Sequence, residues 1–452
     1  MSTIIIGGGI SGLCTAHRLI HHHDQPDTLL LEASDTPGGH IRTEHVEGYS
    51  CDHGPNGFLD REPTTLDWVG QLGLSPQLIQ ANEAAAHRFL LLDEDLVELK
   101  PPPAFLFTKA LSLRGKLRLL REPLQKGPVG DYAESIYDFA ARRIGHEAAA
   151  TLVSAMVLGI YGGDAKQLSL EHCFPKMAAM ERDHGTLYRA MKAAKKQSES
   201  GGTPMGPGGT LTTFKGGIET LVKRAAESLG DNLRINAPAQ TITKDGAGYK
   251  VTLENGETHQ ADRLILATPA YAATTILKDL DTALSTALNR IPYVPIAVIC
   301  TGYDREDVEH DLNGFGYLVP PNQGRDILGC IWSSTIFPHS APGDKVLLRT
   351  MIGGAIEPQA IQETDDQLLE RIRLDVHVTL GVRSAPQMLR IYRHPRGIPQ
   401  YGLDHAKILT EIDNAQTRHP RLHITGNAYK GIGMNDCVRE AYALADRIAQ
   451  KC

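Results

Sequence analysis

Three glycines near the start of the chain have the spacing of a pyrophosphate-binding turn. Gly7, Gly9 and Gly12 form the pattern G-x-G-x-x-G, and Glu32 follows at about the distance, roughly 20 residues, that a dinucleotide fingerprint requires. Such glycines allow a tight turn, a close approach of the backbone to phosphate, and close packing of the next helix. A carboxylate at Glu32 would accept hydrogen bonds from ribose hydroxyls and repel the 2′-phosphate of NADP. The pattern therefore predicts a dinucleotide site that disfavours NADP.

The segments around these glycines must hold them between a strand and a helix. Thr3–Ile6 is a β-branched run that predicts a strand, and Leu13–Ile20 has apolar residues at helical spacing. A second apolar run, Thr28–Leu31, predicts the next strand and leads directly into Glu32. At the start of such a helix, free N–H groups and the helix dipole attract phosphate. The order strand, turn, helix, strand is that of a Rossmann-like α/β unit.

Metal chemistry is suggested only by three consecutive histidines, His21, His22 and His23. Adjacent side chains do not converge on one ion, and turn-forming residues follow, so we interpret this stretch as a solvated loop and predict no metal site. The seven cysteines are scattered and contain no C-x-x-C pair. They therefore predict no disulfide framework and favour a reducing compartment.

Length and composition exclude several classes of protein. A chain of 452 residues is too long for one compact core and should form two or three lobes. The net charge of -7 and the lack of basic runs argue against a nucleic-acid partner. The apolar runs are shorter than the ~20 residues of a spanning helix. The first residues lack the basic and apolar regions of a signal peptide, so we expect a cytoplasmic protein.

The residues after Glu32 extend the fingerprint beyond a general nucleotide turn. The segment 33–43 contains the glycine pair Gly38–Gly39 and also Arg42, which can donate two hydrogen bonds to a pyrophosphate. This continuation resembles the FAD-dependent amine oxidase superfamily. The resemblance implies that the dinucleotide is FAD.

Motifs farther along the chain resemble one family of that superfamily, the protoporphyrinogen oxidases. They are Gly54–Phe58, Gly314–Pro320, Leu328–Ser334, Leu347–Gly354, Ile398–Tyr401 and Ile424–Val438. In the family, the first and last of these segments lie against the flavin, and the middle strands line the substrate pocket. Ala239 and Ala406 depart from the valine and tryptophan found in many relatives. The resemblance spans essentially the whole chain.

The fingerprint and the resemblance together predict the residues that hold FAD. They are Gly7, Gly8, Gly9, Ile10, Ser11, Gly12, Glu32, Ala33, Gly39, His40, Arg42, Gly54, Pro55, Asn56, Gly57, Ala239, Thr268, Gly426, Ile432, Gly433 and Met434. The resemblance also implies a helix from Asp436 whose start lies near the flavin ring. The field of that helix would stabilise an anionic reduced flavin.

The resemblance further implies a pocket for a tetrapyrrole. Arg88 matches a family arginine that binds a propionate, and Leu318, Ile331 and Met351 match the apolar pocket wall. The last two differ from the leucine and phenylalanine of some relatives. On the residues alone, Arg88 could be an ordinary surface residue and the three apolar residues could be core. No residue is predicted to act as a catalytic base.

The function that the resemblance implies is the FAD-dependent oxidation of protoporphyrinogen IX to protoporphyrin IX, with oxygen as acceptor and hydrogen peroxide as product. One alternative is oxidation of coproporphyrinogen III to coproporphyrin III. Two others are a different flavin desaturase or amine oxidase, and a flavin-binding assembly protein without turnover. A homodimer and hand-over of the product to ferrochelatase are further expectations.

The motif positions predict an α/β fold in three parts. These are a discontinuous Rossmann-like FAD-binding domain of the GR2 type (1–79, 205–274 and 406–452), an α+β substrate domain (80–100 and 275–405) and a helical insertion (101–204) joined by a linker at 198–209. Within the insertion, residues 105–121 mix apolar and basic side chains, which fits an anionic membrane surface or a packed helix pair. Because the family is membrane-associated, we expect peripheral membrane contact.

Overall fold

The computed structural model describes residues 1–101, 104–127, 133–197 and 209–450. Its strands are β1 (Thr3–Ile6), β2 (Thr28–Leu31), β3 (Thr43–Val46), β4 (Tyr49–Asp52), β5 (Phe58–Leu59), β6 (Leu78–Gln80), β7 (Phe89–Leu92), β8 (Asp95–Glu98), β9 (Leu211–Phe214), β10 (Leu233–Arg234), β11 (Ala239–Asp245), β12 (Gly248–Leu253), β13 (Thr258–Ala261), β14 (Arg263–Leu266), β15 (Tyr293–Asp304), β16 (Gly316–Leu318), β17 (Ile327–Trp332), β18 (Lys345–Gly353), β19 (Met388–Pro399) and β20 (Leu422–Ile424). Its α-helices are α1 (Ile10–His21), α2 (Pro63–Gln71), α3 (Leu113–Leu120), α4 (Ile136–Ile144), α5 (His146–Ala148), α6 (Ser154–Tyr161), α7 (Leu170–Cys173), α8 (Pro175–His184), α9 (Leu187–Gln197), α10 (Glu219–Leu229), α11 (Ala270–Ile276), α12 (Thr282–Asn289), α13 (Ser333–Ile336), α14 (Asp365–Leu380), α15 (His405–Arg418) and α16 (Met434–Ala449).

A five-stranded parallel sheet, in the order β10-β2-β1-β14-β20, carries the glycine turn. Every residue of β1 is buried, because elements cover both faces of the sheet. Ile5 packs with Leu13 of α1 and Val438 of α16 on one face. Ile4 packs on the other face, with residues of β12, α11 and α15. The predicted strand, helix and strand at the start of the chain are confirmed, and the helix is longer than predicted.

A seven-stranded mixed sheet has the order β19-β15-β18-β17-β16-β7-β8. Its neighbouring strands are antiparallel except for β16 and β7, which are parallel. The apolar side of α14, with Leu368, Ile372 and Val376, packs on one face of this sheet around Trp332. The second face carries the candidate substrate site. The predicted combination of a Rossmann-like α/β part with an α+β part is confirmed.

The described residues between 104 and 197 form helices and no strand, in agreement with the predicted helical character. Arg143 holds several of these helices together, because its fully buried guanidinium pairs with Glu181 and lies 3.5 Å from Glu122. Of the predicted linker at 198–209, residues 198–208 lie outside the described residues. Within the described parts of the chain, no helix has the length and hydropathy needed to cross a membrane.

Two boundary predictions need correction. The loop interpretation of the three histidines is wrong for His21, which is the last residue of α1. His22 and His23 lie in the loop, where His23 Nε2 is 2.7 Å from Asp446 Oδ1. The last helix begins at Met434, two residues before the predicted start. Among the described residues, no group of three or more His, Cys, Asp or Glu side chains is arranged to hold a metal ion.

Candidate functional site

The glycine turn brings β1, α1 and β14 into direct contact. Gly7 has a φ of +107°, and a Cβ on it would lie 2.8 Å from the carbonyl oxygen of Ala267. A Cβ on Gly12 would overlap the carbonyl oxygen of Gly7. Only glycine is therefore compatible with the packing at these two positions.

Three other glycines border an open space instead. A Cβ on Gly9 would meet no atom within 4 Å. On Gly39 it would meet only the Cα of Gly9, at 3.6 Å, and on Gly426 its nearest neighbours would be Thr268 and Tyr429, both at 4.0 Å. These glycines follow β1, β2 and β20, so the space lies at the carboxyl edge of the parallel sheet. Ligands of α/β proteins bind at this edge.

The predicted acid and arginine shape the loop beside that space. Glu32 accepts hydrogen bonds from the N–H of Gly8 at 2.6 Å and the N–H of Ser34 at 2.8 Å. Arg42 donates to the carbonyl oxygen of Thr36 at 2.9 Å. Arg42 thus holds the loop in shape in this structure. The carboxylate of Glu32 is held at the end of β2, where the fingerprint requires it.

Several polar groups at the site lack partners. The amide nitrogen of Asn56 and the hydroxyl of Thr268 are buried and make no hydrogen bond to any described residue. Leaving a buried polar group unpaired costs about 1–3 kcal/mol, which a ligand would recover. Helices α1 and α16 begin at Ile10 and Met434, after glycine N-caps that provide no side-chain cap. The open space, the free N–H groups and the unpaired side chains fit a ligand with the size and phosphates of FAD.

The other predicted cofactor residues have mixed environments. Ala33 is exposed directly after the acid, and Ala239 is half-buried at the start of β11. Ser11 is buried in α1. The side chains of Ile432 and Met434 pack against apolar clusters. At position 434 only the backbone N–H at the helix start is therefore available to a ligand.

The segment Gly54–Gly57 contacts the seven-stranded sheet and the small sheet β5-β9-β6. Arg349 of β18 donates to the carbonyl oxygen of Gly54, and also to that of Asp52 at 3.3 Å. A Cβ on Gly57 would lie 2.7 Å from the carbonyl oxygen of Thr212 in β9. Arg349 was missed by sequence reasoning, although strand alternation puts it on the same side of β18 as Met351. The predicted flavin segment therefore lies directly against the predicted substrate sheet.

The three predicted wall residues share the second face of the seven-stranded sheet. Leu318 pairs with Gly329, Gly329 pairs with Met351, and Ile331 pairs with Arg349. Paired positions put their side chains on one face. All three wall residues are half-buried. The residues that alternate with them are buried on the opposite face: Tyr317, Cys330 and Thr350. Leu318, Ile331 and Met351 therefore form a half-buried apolar wall, against which α6 packs at Gly159.

Arg88 lies at the edge of this wall. It precedes β7, and alternation puts it on the side of Leu90, whose register partner is Leu318. Its guanidinium lies 5.4 Å from the ring centre of Phe315. Among the described residues, no carboxylate is within ion-pair distance of Arg88. Although the side chain is exposed, the surrounding protein partly desolvates it and lowers its pKa. It is a cation available for an anionic ligand.

A histidine cluster connects the loop after Gly39 to the same sheet face. His394 Nε2 lies 2.9 Å from the carbonyl oxygen of His53, and His394 Nδ1 lies 3.1 Å from His40 Nδ1. The His53 ring stacks on Tyr392 with 3.7 Å between centroids. Sequence reasoning missed this cluster apart from His40. The only signal was that residues 392 and 394 alternate on one side of the strand before the Ile398–Tyr401 motif.

The electrostatics of the site keep its imidazoles neutral. Burial, His394 and Arg42 lower the pKa of His40 to about 4, although part of the ring is exposed. Burial also lowers the pKa of His394. Burial raises the pKa of Asp52 to about 6, against the effect of a hydrogen bond of 2.6 Å from the Thr43 hydroxyl. At neutral pH the two imidazoles are therefore uncharged.

The molecule thus has two parts: a parallel sheet with a nucleotide-binding edge, and a second sheet with an apolar wall. This combination is that of a two-part flavoprotein. The chain belongs to the flavin containing amine oxidoreductase family, whose model matches residues 10–449. It is an oxidoreductase, and its cofactor is FAD.

Known proteins resemble the chain over its full length. The chloroplastic protoporphyrinogen oxidase of Oryza sativa subsp. japonica is 31% identical, with 99% of this chain and 88% of the relative covered. The coproporphyrinogen III oxidase of Bacillus subtilis (strain 168) is 28% identical, with 97% and 96% covered. The crystal structure of a candidate protoporphyrinogen oxidase from Exiguobacterium sp. 255-15 superimposes with a TM-score of 0.85 at 24% identity, and 100% and 99% of the two chains are covered. The last likeness concerns the fold.

Proposed function

We propose that the chain oxidises protoporphyrinogen IX to protoporphyrin IX in haem biosynthesis, with oxygen as acceptor and hydrogen peroxide as product. The observation that carries this proposal is the half-buried apolar wall of Leu318, Ile331 and Met351. The cation of Arg88, which has no ion-pair partner among the described residues, lies at its edge. A porphyrinogen is a large apolar macrocycle with propionates at one edge, so its chemistry complements this surface. The names of the rice and Bacillus relatives support a porphyrinogen as substrate.

In this proposal the protein contributes mainly by positioning. The wall excludes water from the macrocycle, and an ion pair between Arg88 and a propionate fixes its orientation. Arg349 holds the Gly54–Gly57 segment against the same sheet, which would align a bridge carbon with the cofactor. When bound, FAD supplies a hydride acceptor that oxygen can reoxidise. Glu32, Asn56 and Thr268 are proposed to hold it.

The main alternative substrate is coproporphyrinogen III, because the relatives from Bacillus subtilis and Staphylococcus aureus carry the name coproporphyrinogen III oxidase. That substrate has more propionates and would need further cations besides Arg88. A flavin-binding assembly protein without turnover is a further alternative.

A fluorescence assay distinguishes these proposals. Each porphyrinogen is added separately to the purified, FAD-loaded protein in air, and the porphyrin formed is measured by its fluorescence. Faster conversion of protoporphyrinogen IX, with peroxide released in step, supports the main proposal. Faster conversion of coproporphyrinogen III transfers the assignment to the alternative. If neither is converted, the porphyrinogen proposal is wrong and the assembly-protein alternative gains support.

We also propose that α3 lies on an anionic membrane surface. Leu113, Leu117 and Leu120 share one side of this helix, and each is more than half exposed. Arg118, on the opposite side, donates to the carbonyl oxygens of Arg142 and Arg143 and so fixes the helix with its leucines outward. Phe107 and Leu124, before and after α3 in the chain, are also exposed. Arg114, Lys116 and Arg121 flank the leucines of the helix. An apolar strip with basic residues on both sides is typical of a helix that lies at a membrane surface.

The remaining expectations stay predictions. They are the three-part division into an FAD domain (1–79, 205–274 and 406–452), a substrate domain (80–100 and 275–405) and an insertion (101–204), a homodimer, and hand-over to ferrochelatase. Limited proteolysis tests the boundaries. Ultracentrifugation of the FAD-loaded protein, alone and with ferrochelatase, tests the two associations.

A further inference from the structure

The hydrogen bonds of His394 determine which of its ring nitrogens carries a proton. Its Nε2 lies 2.9 Å from the carbonyl oxygen of His53. A carbonyl oxygen only accepts hydrogen bonds, so Nε2 of His394 must be protonated. In a neutral imidazole the other nitrogen, Nδ1, then has a free lone pair.

The tautomer of His40 follows from that of His394. The two Nδ1 atoms are 3.1 Å apart, which is a hydrogen-bond distance. Because Nδ1 of His394 is the acceptor, Nδ1 of His40 must be the donor. The remaining nitrogen of His40, Nε2, is therefore unprotonated, and no described residue donates to it.

His40 is well located to receive a proton from a bound molecule. It directly follows Gly39, which borders the open space at the edge of the parallel sheet. Its partner His394 lies on β19, on the same side of the strand as Tyr392. Tyr392 pairs with Val298 of β15, and Val298 pairs with Met351 of β18, so these side chains share the face of the apolar wall. His40 thus lies between the cofactor space and the sheet that carries the apolar wall, and it is exposed.

We propose that Nε2 of His40 is the proton acceptor of the oxidation, with His394 as its positioning residue; this inference rests on the proposed function. In each of the three two-electron steps, a C–H bond at a bridge carbon of the porphyrinogen would break, and its hydride would pass to bound FAD, which oxygen reoxidises between steps. The accompanying proton goes to Nε2 of His40. It comes from a pyrrole N–H in two of the steps and from the remaining bridge carbon in the third, so four C–H and two N–H hydrogens are lost in all. The Nδ1 proton of His40 can then shift to Nδ1 of His394, which leaves the positive charge on the imidazole bonded to the His53 carbonyl. Solvent removes one proton before the next step.

The surrounding charges suit this role. Burial keeps both imidazoles neutral, assisted by Arg42 beside His40 and Arg349 beside His394, so their lone pairs are free at neutral pH. His53 is the last member of this series of hydrogen-bonded histidines, and it faces Glu44. The carboxylate of Glu44 also lies 2.7 Å from the guanidinium of Arg390. The negative charge beyond His53 favours movement of a proton away from the substrate.

The tautomers can be measured without any turnover. Nitrogen NMR of the FAD-loaded protein labelled in its histidines, with the His40→Gln and His394→Gln variants used for assignment, should show His40 protonated at Nδ1 and His394 at Nε2. The proposal is overturned if His40 carries its proton on Nε2. This measurement stands even if no porphyrinogen proves to be a substrate, so the two proposals fail separately.

Kinetics test the role in the reaction. The His40→Ala variant should lose about a hundredfold in kcat per bound flavin, the lower end of the range for a general base, with KM unchanged. Added imidazole should restore part of kcat in proportion to its free-base form, which a purely structural role would not produce. The matched control is His22→Ala, which changes an exposed histidine far from the site and should keep full activity. A His40→Ala variant with normal kcat per bound flavin, or one that imidazole does not rescue, would contradict the proposal.

Discussion

A Cβ atom on Gly159 of α6 would lie 2.6 Å from Cδ2 of Leu318 in β16. The helical part of the chain thus reaches the apolar wall only because residue 159 has no side chain. Leu158 of the same helix packs with Val298 and Leu328 on this face of the sheet. The contact between Gly159 and Leu318 therefore sets how closely the helical part covers the candidate pocket.

Gly159→Ala should narrow this pocket. The methyl group would displace Leu318, at a cost of about 1–3 kcal/mol for overpacking. We expect KM for the porphyrinogen to rise about tenfold, with flavin content unchanged. The double variant Gly159→Ala with Leu318→Val should recover most of the loss, because valine makes room for the methyl group. Steady-state kinetics of the three proteins test this, and an unaltered KM in the single variant would contradict it.

Arg88→Ala should weaken substrate binding. A charge-assisted hydrogen bond to a propionate contributes about 1.5–3 kcal/mol, so KM should rise about 10- to 100-fold while FAD content stays the same. Arg88→Lys should retain part of the effect, since it keeps the charge and loses the bidentate geometry. Lys100→Ala, at an exposed lysine close by, is the control. If Arg88→Ala binds porphyrinogen as tightly as the parent protein, Arg88 is not part of the site.

Gly9→Ala should remove FAD without unfolding the protein. The new methyl group would meet no protein atom within 4 Å, so it would occupy only the space proposed for the cofactor. The poorer N-cap should lower stability by no more than about 1 kcal/mol. Gly12→Ala should instead destabilise the fold, because its methyl group would overlap the carbonyl oxygen of Gly7. Gly343→Ala, also in open space, is the matched control. The flavin absorbance and Tm of all three variants test this. Retention of FAD by Gly9→Ala would show that Gly9 does not border the cofactor site.

Leu117→Gln should weaken attachment to vesicles that contain phosphatidylglycerol. Burial of one leucine contributes about 1.5–3 kcal/mol, so vesicle affinity should fall about tenfold or more. Activity in detergent should not change, because the side chain points away from the fold. The control is Leu374→Gln, which alters a leucine of similar exposure on α14. Equal co-sedimentation of the two variants would remove α3 from the membrane contact.

His405 should make the stability of the protein sensitive to acid. Burial lowers its pKa to about 4, and its Nδ1 is buried without a partner among the described residues. The folded pKa is below the unfolded value of about 6.5, so this contribution is fully present above pH 6.5 and is lost as pH falls towards 4. The loss should be on the order of 2 kcal/mol at pH 5. His405→Gln should therefore show a shallower decrease in Tm between pH 6.5 and 4 than the parent protein or the exposed control His22→Gln. Parallel pH profiles of the parent and His405→Gln would contradict this assignment.

Local patterns predicted the cofactor part of the fold well. The glycine turn, the first helix and the strand before Glu32 depend on residues close in sequence, so their spacing was sufficient. The ends of the predicted helices and loops were less accurate. His23 pairs with Asp446, a residue more than 400 positions away, and no local pattern could signal that contact. The start of α16 moved to Met434 because a glycine at 433 can begin a helix.

The sequence alone determined the family, the FAD fingerprint and the apolar character of the candidate substrate wall, because these are encoded in short motifs with fixed spacing. The tertiary structure decided which side chains meet. Strand register put Leu318, Ile331 and Met351 on one face, and left their neighbours buried beneath α14. It also joined His40 to His394 across 354 positions of the chain and so fixed a tautomer that no motif encodes. Hydrogen bonds between distant segments depend on packing, and packing is a property of the folded chain.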